Sequence, residues 1–216
     1  MKTLKYFVFV LLATVAFASC DSSTATTASD ADSVANAAAS AATYKVDAAA
    51  SELQWHGSKL AYGHTGVINL TEGSLSLDKG NITAGNFTVD MKSIKEVGAT
   101  DADAATKLAG HLSSPDFFDA EKFPTSKFEV TGCTENKTDS TTHTIKGNLT
   151  IKDQTKNIEF PAKVAAEGNN LTATANFTIN RNDWGVTYGS GLSGAIGDKV
   201  IGDNIDYKVT LKATKI

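Results

Sequence analysis

The sequence is short of the residues that most chemistry needs: it holds 2 cysteines, 4 histidines and 3 prolines. His56, His64, His111 and His143 fall in separate segments, with no His-Glu-x-x-His and no cysteine pair at ligand spacing, so no metal is expected. The carboxylates are scattered over polar positions, no Gly-x-Ser-x-Gly elbow occurs, and Ser, His and Asp follow no hydrolase order. No catalytic residue is therefore assigned, and the chain is not expected to be an enzyme. Basic residues number 20 against 24 acidic ones, a net charge of -4, without the Lys/Arg block that phosphate neutralisation requires. Nucleic acid is excluded as a partner on that ground. Long apolar runs are also missing: the one from Tyr6 to Phe17 is well short of the roughly 20 residues of a bilayer-spanning helix.

That run does have a meaning, because Lys2 and Lys5 precede it and Ala18, Ser19 and Cys20 follow it, the plan of an export signal. Small residues before a cysteine resemble the bacterial lipobox, although Phe17 stands where leucine is usual. Residues 1–19 are thus expected to be removed, and Cys20 to carry the acyl chains that anchor the protein to a membrane. An ordinary secretory signal with a chance cysteine is the alternative. If Cys20 is lipidated, Cys133 has no disulfide partner in the chain, and its position near polar residues suggests a spare thiol. The expected location is the bacterial cell envelope, on the outer membrane with its periplasmic or surface face left open. Residues 20–43 are almost entirely Ala, Ser, Thr, Asp and Asn, with Val34 their only large apolar side chain, and are expected to form a disordered tether.

From Tyr44 to Ile216 the dominant pattern is alternation with period two, which places every second side chain on one face of a strand. Leu53 and Trp55 alternate with Gln54 and His56, Phe87, Val89 and Met91 with Thr88 and Asp90, and Leu171 to Ile179 with Thr172 to Asn180. The same holds for Ile145 to Ile151, Ile158 to Val164 and Ile205 to Leu211. About eight such strands, divided by Gly, Asn and Asp clusters, predict an all-β fold, a single antiparallel meander with one dry face. Closing it into a barrel covers that face and removes the edges, and leaves an interior just wide enough for side chains or one small ligand.

The period fails between residues 95 and 125. Asp101 to Leu112 tolerates a helix, with Leu108 and Leu112 at i, i+4, and Pro115 and Pro124 bracket Phe117, Phe118 and Phe123. A connection this rich in phenylalanine covers something apolar, either as a plug in one barrel end or as a lid over a ligand mouth. Gly189 to Gly194 matches Gly-x-Gly-x-x-Gly, but no helix is expected after it, so it is read as a flexible hairpin loop. The 7 Asn-x-Ser/Thr triplets reflect alternation: in most of them Asn and Thr are the wet neighbours of a dry residue.

In order along the chain, several short segments resemble the YceI-like family of exported lipid- or polyisoprenoid-binding proteins. They are Tyr44-Lys45-Val46-Asp47, Ser93-Ile94, the stretch from His111 to Asp119 with Phe123, Pro124 and Phe128, Gly147 to Ile151 with Thr155-Lys156, and Asn180 to Gly185. Lys152-Asp153 departs from the family, which usually carries glycine in that turn. The resemblance implies a lipocalin-like barrel whose lumen takes a long isoprenoid or similar lipid, a ligand rather than a cofactor. Trp55, Phe87, Phe128, Ile151, Phe160, Phe177 and Tyr207 are then expected to point inward. Leu112 and Trp184 join this ligand-binding set, and Phe117, Phe118 and Phe123 close one mouth. Arg181 is expected to pair with Asp183 as a structural ion pair, or to meet a polar head group. The competing reading is a structural or interaction barrel plugged by its own side chains; an enzyme acting on isoprenoids would need His111 or Arg181. A homodimer stays open.

Overall fold

Alternation in the sequence becomes strand pairing over most of the chain. The structure, a computed structural model, describes residues 25–59, 62–136, 138 and 142–216. The export signal and Cys20 lie outside the described residues. Two short strands come first, β1 (Ser29–Asp30) and β2 (Ala42–Val46). They are followed by β3 (Glu52–Lys59), β4 (Tyr62–Asp78), β5 (Asn81–Glu96), β6 (Thr125–Glu135), β7 (His143–Ile151), β8 (Gln154–Glu167), β9 (Asn170–Asn180) and β10 (Ile201–Lys215). From β3 to β10 each strand pairs antiparallel with the next, and β10 returns to β3, so 8 strands close an antiparallel barrel. β2 lies end to end with β3 in one slot, pairing with Ser74 to Leu77 of β4 and with Ala213 to Lys215 of β10.

The barrel has unlike ends. At one end the turns are tight: Lys79 and Gly80 both have positive φ, 51° and 90°, the geometry of a two-residue hairpin. At the other end two long connections replace such turns. The first holds helix α1 (Ala102–Ser113), which starts where Asp101 caps it, its Oδ1 accepting from the Asp103 and Ala104 amides at 2.9 and 3.0 Å. The second, residues 181–200, winds through three short 3₁₀ turns before β10. The turn between β7 and β8 is made with Lys152 itself at φ 55°.

The stretch expected to be a tether takes another course from Ala25 onward. β8 and β9 stop pairing at Ala162 and Ala175, although both strands continue past that point. The Ala162 carbonyl and the Val164 amide bond to Thr142, on the β7 side, so the nitrogen of Pro161 falls on the β9 side, where it has no hydrogen to donate. The N-terminal segment enters this opening. The Thr26 amide donates to the Thr178 carbonyl at 2.8 Å, and β1 pairs with Lys156 and Asn157 of β8. It then crosses the outside of β7, β6 and β5: Asp32 exchanges two hydrogen bonds with the Asn148 side chain, and the Ala35 amide donates to the Val130 carbonyl at 2.9 Å. A segment with almost no large apolar side chains is ordered here because the barrel wall supplies partners for its backbone, a term that composition does not register.

Candidate functional site: an apolar cavity in one half of the barrel

The inward side chains do not fill the barrel evenly. In the half nearer the tight turns, Leu75, Ile82, Val130, Ile145 and Leu211 are buried around a void of only about 70 Å³. The other half encloses a cavity of about 900 Å³. Phe128, Phe160, Phe177 and Val209 border both spaces and so form the floor between them. Their rings belong to a row that crosses successive strands: Phe87 to Phe128 at 6.3 Å, Phe128 to Phe160 at 5.5 Å, Phe160 stacked on Phe177 at 4.4 Å, and Phe177 to Tyr207 at 5.4 Å. Glycine makes room for two of the aromatics. A Cβ on Gly147 would collide with the ring of Phe128, and one on Gly66 with the indole of Trp55, so both rings lie flat on bare backbone.

Of the ligand-binding residues expected from the sequence, Trp55, Leu112, Phe117, Phe118, Phe128, Ile151, Phe160, Phe177 and Tyr207 line this cavity. Three are placed elsewhere. Phe87 lies beyond the floor, beside the small void. Phe123 is half-buried outside the cavity lining, with the Lys122 ammonium 4.9 Å above its ring. Trp184 is 1% exposed and donates from Nε1 to the Leu149 carbonyl at 2.9 Å, which makes it a brace behind the wall. Trp55 Nε1, by contrast, is buried without an acceptor among the described residues. Burial pushes the Tyr207 phenol well above the usual tyrosine range, so it faces the cavity as a neutral group.

Sequence reading missed the connection after β9. The segment taken as a flexible hairpin loop contains a 3₁₀ turn at Gly191–Ser193 capped by Ser190, and it brings Tyr188, Ile196 and Ile201 to the cavity. Its length was the available signal, since connections of this size are rarely simple hairpins. Tyr188 and Phe117 both pack edge-on against His111, at 5.0 and 4.9 Å, which ties the two long connections together over the mouth. His111 Nε2 also meets Asp116 at 3.2 Å.

Arg181 is 2% exposed and spends its donors inside the wall, on the carbonyls of Gly202, Val186 and Ile201 at 3.0, 2.6 and 3.2 Å. Its acidic partner is Asp203 at 3.5 Å, not the expected Asp183. Burial lowers its pKa from the usual arginine value, against the pull of Asp203. The expectation of a structural arginine holds, while the sequence neighbour was the wrong partner because a 3₁₀ turn directs the guanidinium toward β10. Lys59, Lys127, Lys199 and Arg181 contribute to the cavity lining, and no Asp or Glu does among the described residues. Nor is any group of three His, Cys, Asp or Glu placed among them to hold a metal ion.

The YceI-like domain profile matches residues 44–213. The chain belongs to the YceI-like family. A YceI-like relative, a UPF0312 protein of Pseudomonas putida, is 29% identical over 157 residues, covering 68% of this chain and 78% of the relative. Among solved structures, Burkholderia cenocepacia BcnA is similar with a TM-score of 0.64 and 22% identity, over 78% of this chain and 99% of that one. A polyisoprenoid binding domain from Saccharophagus degradans gives 0.57 and 13%, over 80% and 98%. At these identities the two structures bear on the fold, and the fold they share with this chain is the YceI-like barrel with its helix between strands.

Proposed function

We propose that this protein is a lipid-anchored component of the bacterial envelope that binds a long apolar lipid, of polyisoprenoid type, in the open half of its barrel. The observation that carries the reading is the cavity itself. At about 900 Å³ it is near the top of the roughly 300–1,000 Å³ range of ligand sites, and its walls are mainly aromatic and aliphatic. An apolar chain entering it gains roughly 0.8 kcal/mol per methylene removed from water, so affinity needs no strong polar contact. The likeness to a solved polyisoprenoid binding domain supports the choice of ligand class. Lys2, Lys5 and the segment ending at Cys20 support export and anchoring. The role is sequestration or carriage without turnover.

Native mass spectrometry of gently purified protein tests this. The expected result is a co-purifying lipid of one or a few masses, or stoichiometric uptake of an added prenyl lipid. Protein that carries nothing and takes up nothing overturns it. The plugged-barrel reading has its own supporting observation, the packing around Leu171 and Val130, but that packing occupies only the half below the aromatic floor.

A further inference from the structure

Among the described residues, five of the seven large apolar side chains left exposed lie at one end of the barrel; the other two are Val34 on the strap and Ile216 at the opposite end. Tyr62, at the start of β4, and Val97, Tyr188, Leu192 and Ile196, on the two long connections, stand at the open end, with Leu192 81% and Ile196 79% exposed. Three of them, Tyr62, Tyr188 and Ile196, also belong to the cavity lining, so apolar side chains lead from the interior onto the rim. An apolar patch around an opening marks a contact surface rather than ordinary surface chemistry. Lys59 and Lys199 flank the mouth; of the carboxylates there, Glu96 and Asp116 are taken up by His64 and His111 at 2.6 and 3.2 Å, Asp203 is met by Arg181 at 3.5 Å, and Asp198 stands next to Lys199.

The N-terminal strap sets no preference between the two ends. It joins the barrel in its open half, where Thr26 bonds to Thr178 of β9 two residues before that strand ends. Only Asp21 to Thr24 separate Cys20 from Ala25. Covalent geometry limits the reach of that link to about 18 Å. β1 runs antiparallel to β8, so at Ala25 the backbone, followed toward its N-terminus, is heading away from the rim, and a link of this reach ties a lipid on Cys20 to neither end.

We infer that the rim of the cavity docks on the surface of a lipid bilayer, with Leu192 and Ile196 entering the acyl boundary and Lys59 and Lys199 meeting anionic head groups. The mouth then faces the bilayer, and an apolar chain passes between membrane and cavity without crossing water. Amphipathic surfaces bind bilayers by this combination of apolar burial and basic charge. The inference rests on the lipid-binding reading for what is transferred, and on exposure and charge for the docking itself.

Full-length processed protein carrying Leu192→Trp is compared with the same protein carrying Ile216→Trp, a position 78% exposed at the opposite end. Both substitutions are at the surface, and the native Trp55 and Trp184 are buried. The probe is a vesicle of phosphatidylcholine and phosphatidylglycerol with brominated acyl chains. The expected result is a blue shift and at least a twofold loss of emission for L192W, with no change for I216W. Absence of quenching at L192W, or equal quenching at both positions, overturns the docking. A dimer seen without vesicles and dissociated by Leu192→Ser and Ile196→Ser assigns the rim to a second copy and overturns it as well. Uptake of a prenyl lipid in vesicle-free solution is measured on the same samples. Uptake without insertion refutes the docking and spares lipid binding, whereas insertion without uptake does the reverse.

Discussion

The two halves of the barrel are built from the same strands with the same alternation, yet one packs solid and the other holds a cavity. The difference lies in the ladders, not in the choice of apolar residues. Toward the tight turns, β2 fills its slot beside β4 and β10, and β8 pairs with β9, so inward side chains from facing strands meet. Toward the open end two ladders stop early: β5 and β6 part at Asp90 and Thr125, and β8 and β9 part at Ala162 and Ala175. The wall widens there, and side chains that would interlock across a narrower barrel line a space instead. Apolar alternation thus specifies a dry interior, and the extent of strand pairing decides whether that interior is filled.

The sharpest way to break this comparison is to make one truncation in each half. Leu171→Ala, in the packed half, is expected to cost about 2–5 kcal/mol, because a cavity opens where none existed. Leu53→Ala borders existing space and is expected to cost at most about 2 kcal/mol, the transfer contribution alone. Denaturant unfolding measures both, and equal losses would mean that the open half is packed in solution. A second test concerns the floor. Phe160→Ala with Phe177→Ala removes the stacked pair and joins the two spaces, so the bound lipid identified by mass spectrometry should lengthen by several carbons. An unchanged chain length would show that Phe160 and Phe177 do not set the depth.

Smaller effects sharpen the contrast further. Cys133 packs against the core of the closed half, and burial raises its pKa above the ordinary thiol value, against a backbone hydrogen bond involving Ile82 that lowers it. A raised pKa leaves less thiolate at a given pH, so alkylation by iodoacetamide at pH 8 should be slower in the folded protein than in the denatured one, with the folded rate still climbing as pH rises further. Equal rates would indicate that this side of the barrel opens readily. The smallest expected change is Lys152→Gly, which relieves a left-handed lysine between β7 and β8 and should stabilise by up to about 1 kcal/mol. A loss of stability in thermal unfolding would show that the lysine side chain itself contributes there.

Much of this was legible in the sequence, for a local reason. Alternation reports which face of a strand is dry, so Trp55, Phe128, Phe160, Phe177 and Tyr207 could be assigned inward without knowing their neighbours. Asp101 and the Leu108/Leu112 spacing marked the helix, and Phe117 and Phe118 are indeed buried at the mouth beneath it. Phe87 shows where that logic ends: it points inward like Phe177, but its level along the barrel puts it below the floor. Aromatic character alone does not separate Trp184 and Phe123 from the cavity residues: Trp184 donates to a carbonyl of β7, and Phe123 lies outside the lining beside Lys122. The strap from Ala25 was read as a tether because it has no apolar face, and its partners, Asn148 and Thr178, are more than a hundred residues away.

The sequence by itself determined a closed, antiparallel, dry-lined barrel with one helical and aromatic interruption, since those properties follow from side-chain period and turn chemistry within short windows. Only the tertiary structure decided that two ladders end halfway, that a polar N-terminal segment fills the opening between β8 and β9, and that five of the seven exposed large apolar residues among those described gather around one mouth. Each of these depends on how distant strands diverge in space, and hydrogen bonds between remote segments leave no periodic mark on the chain.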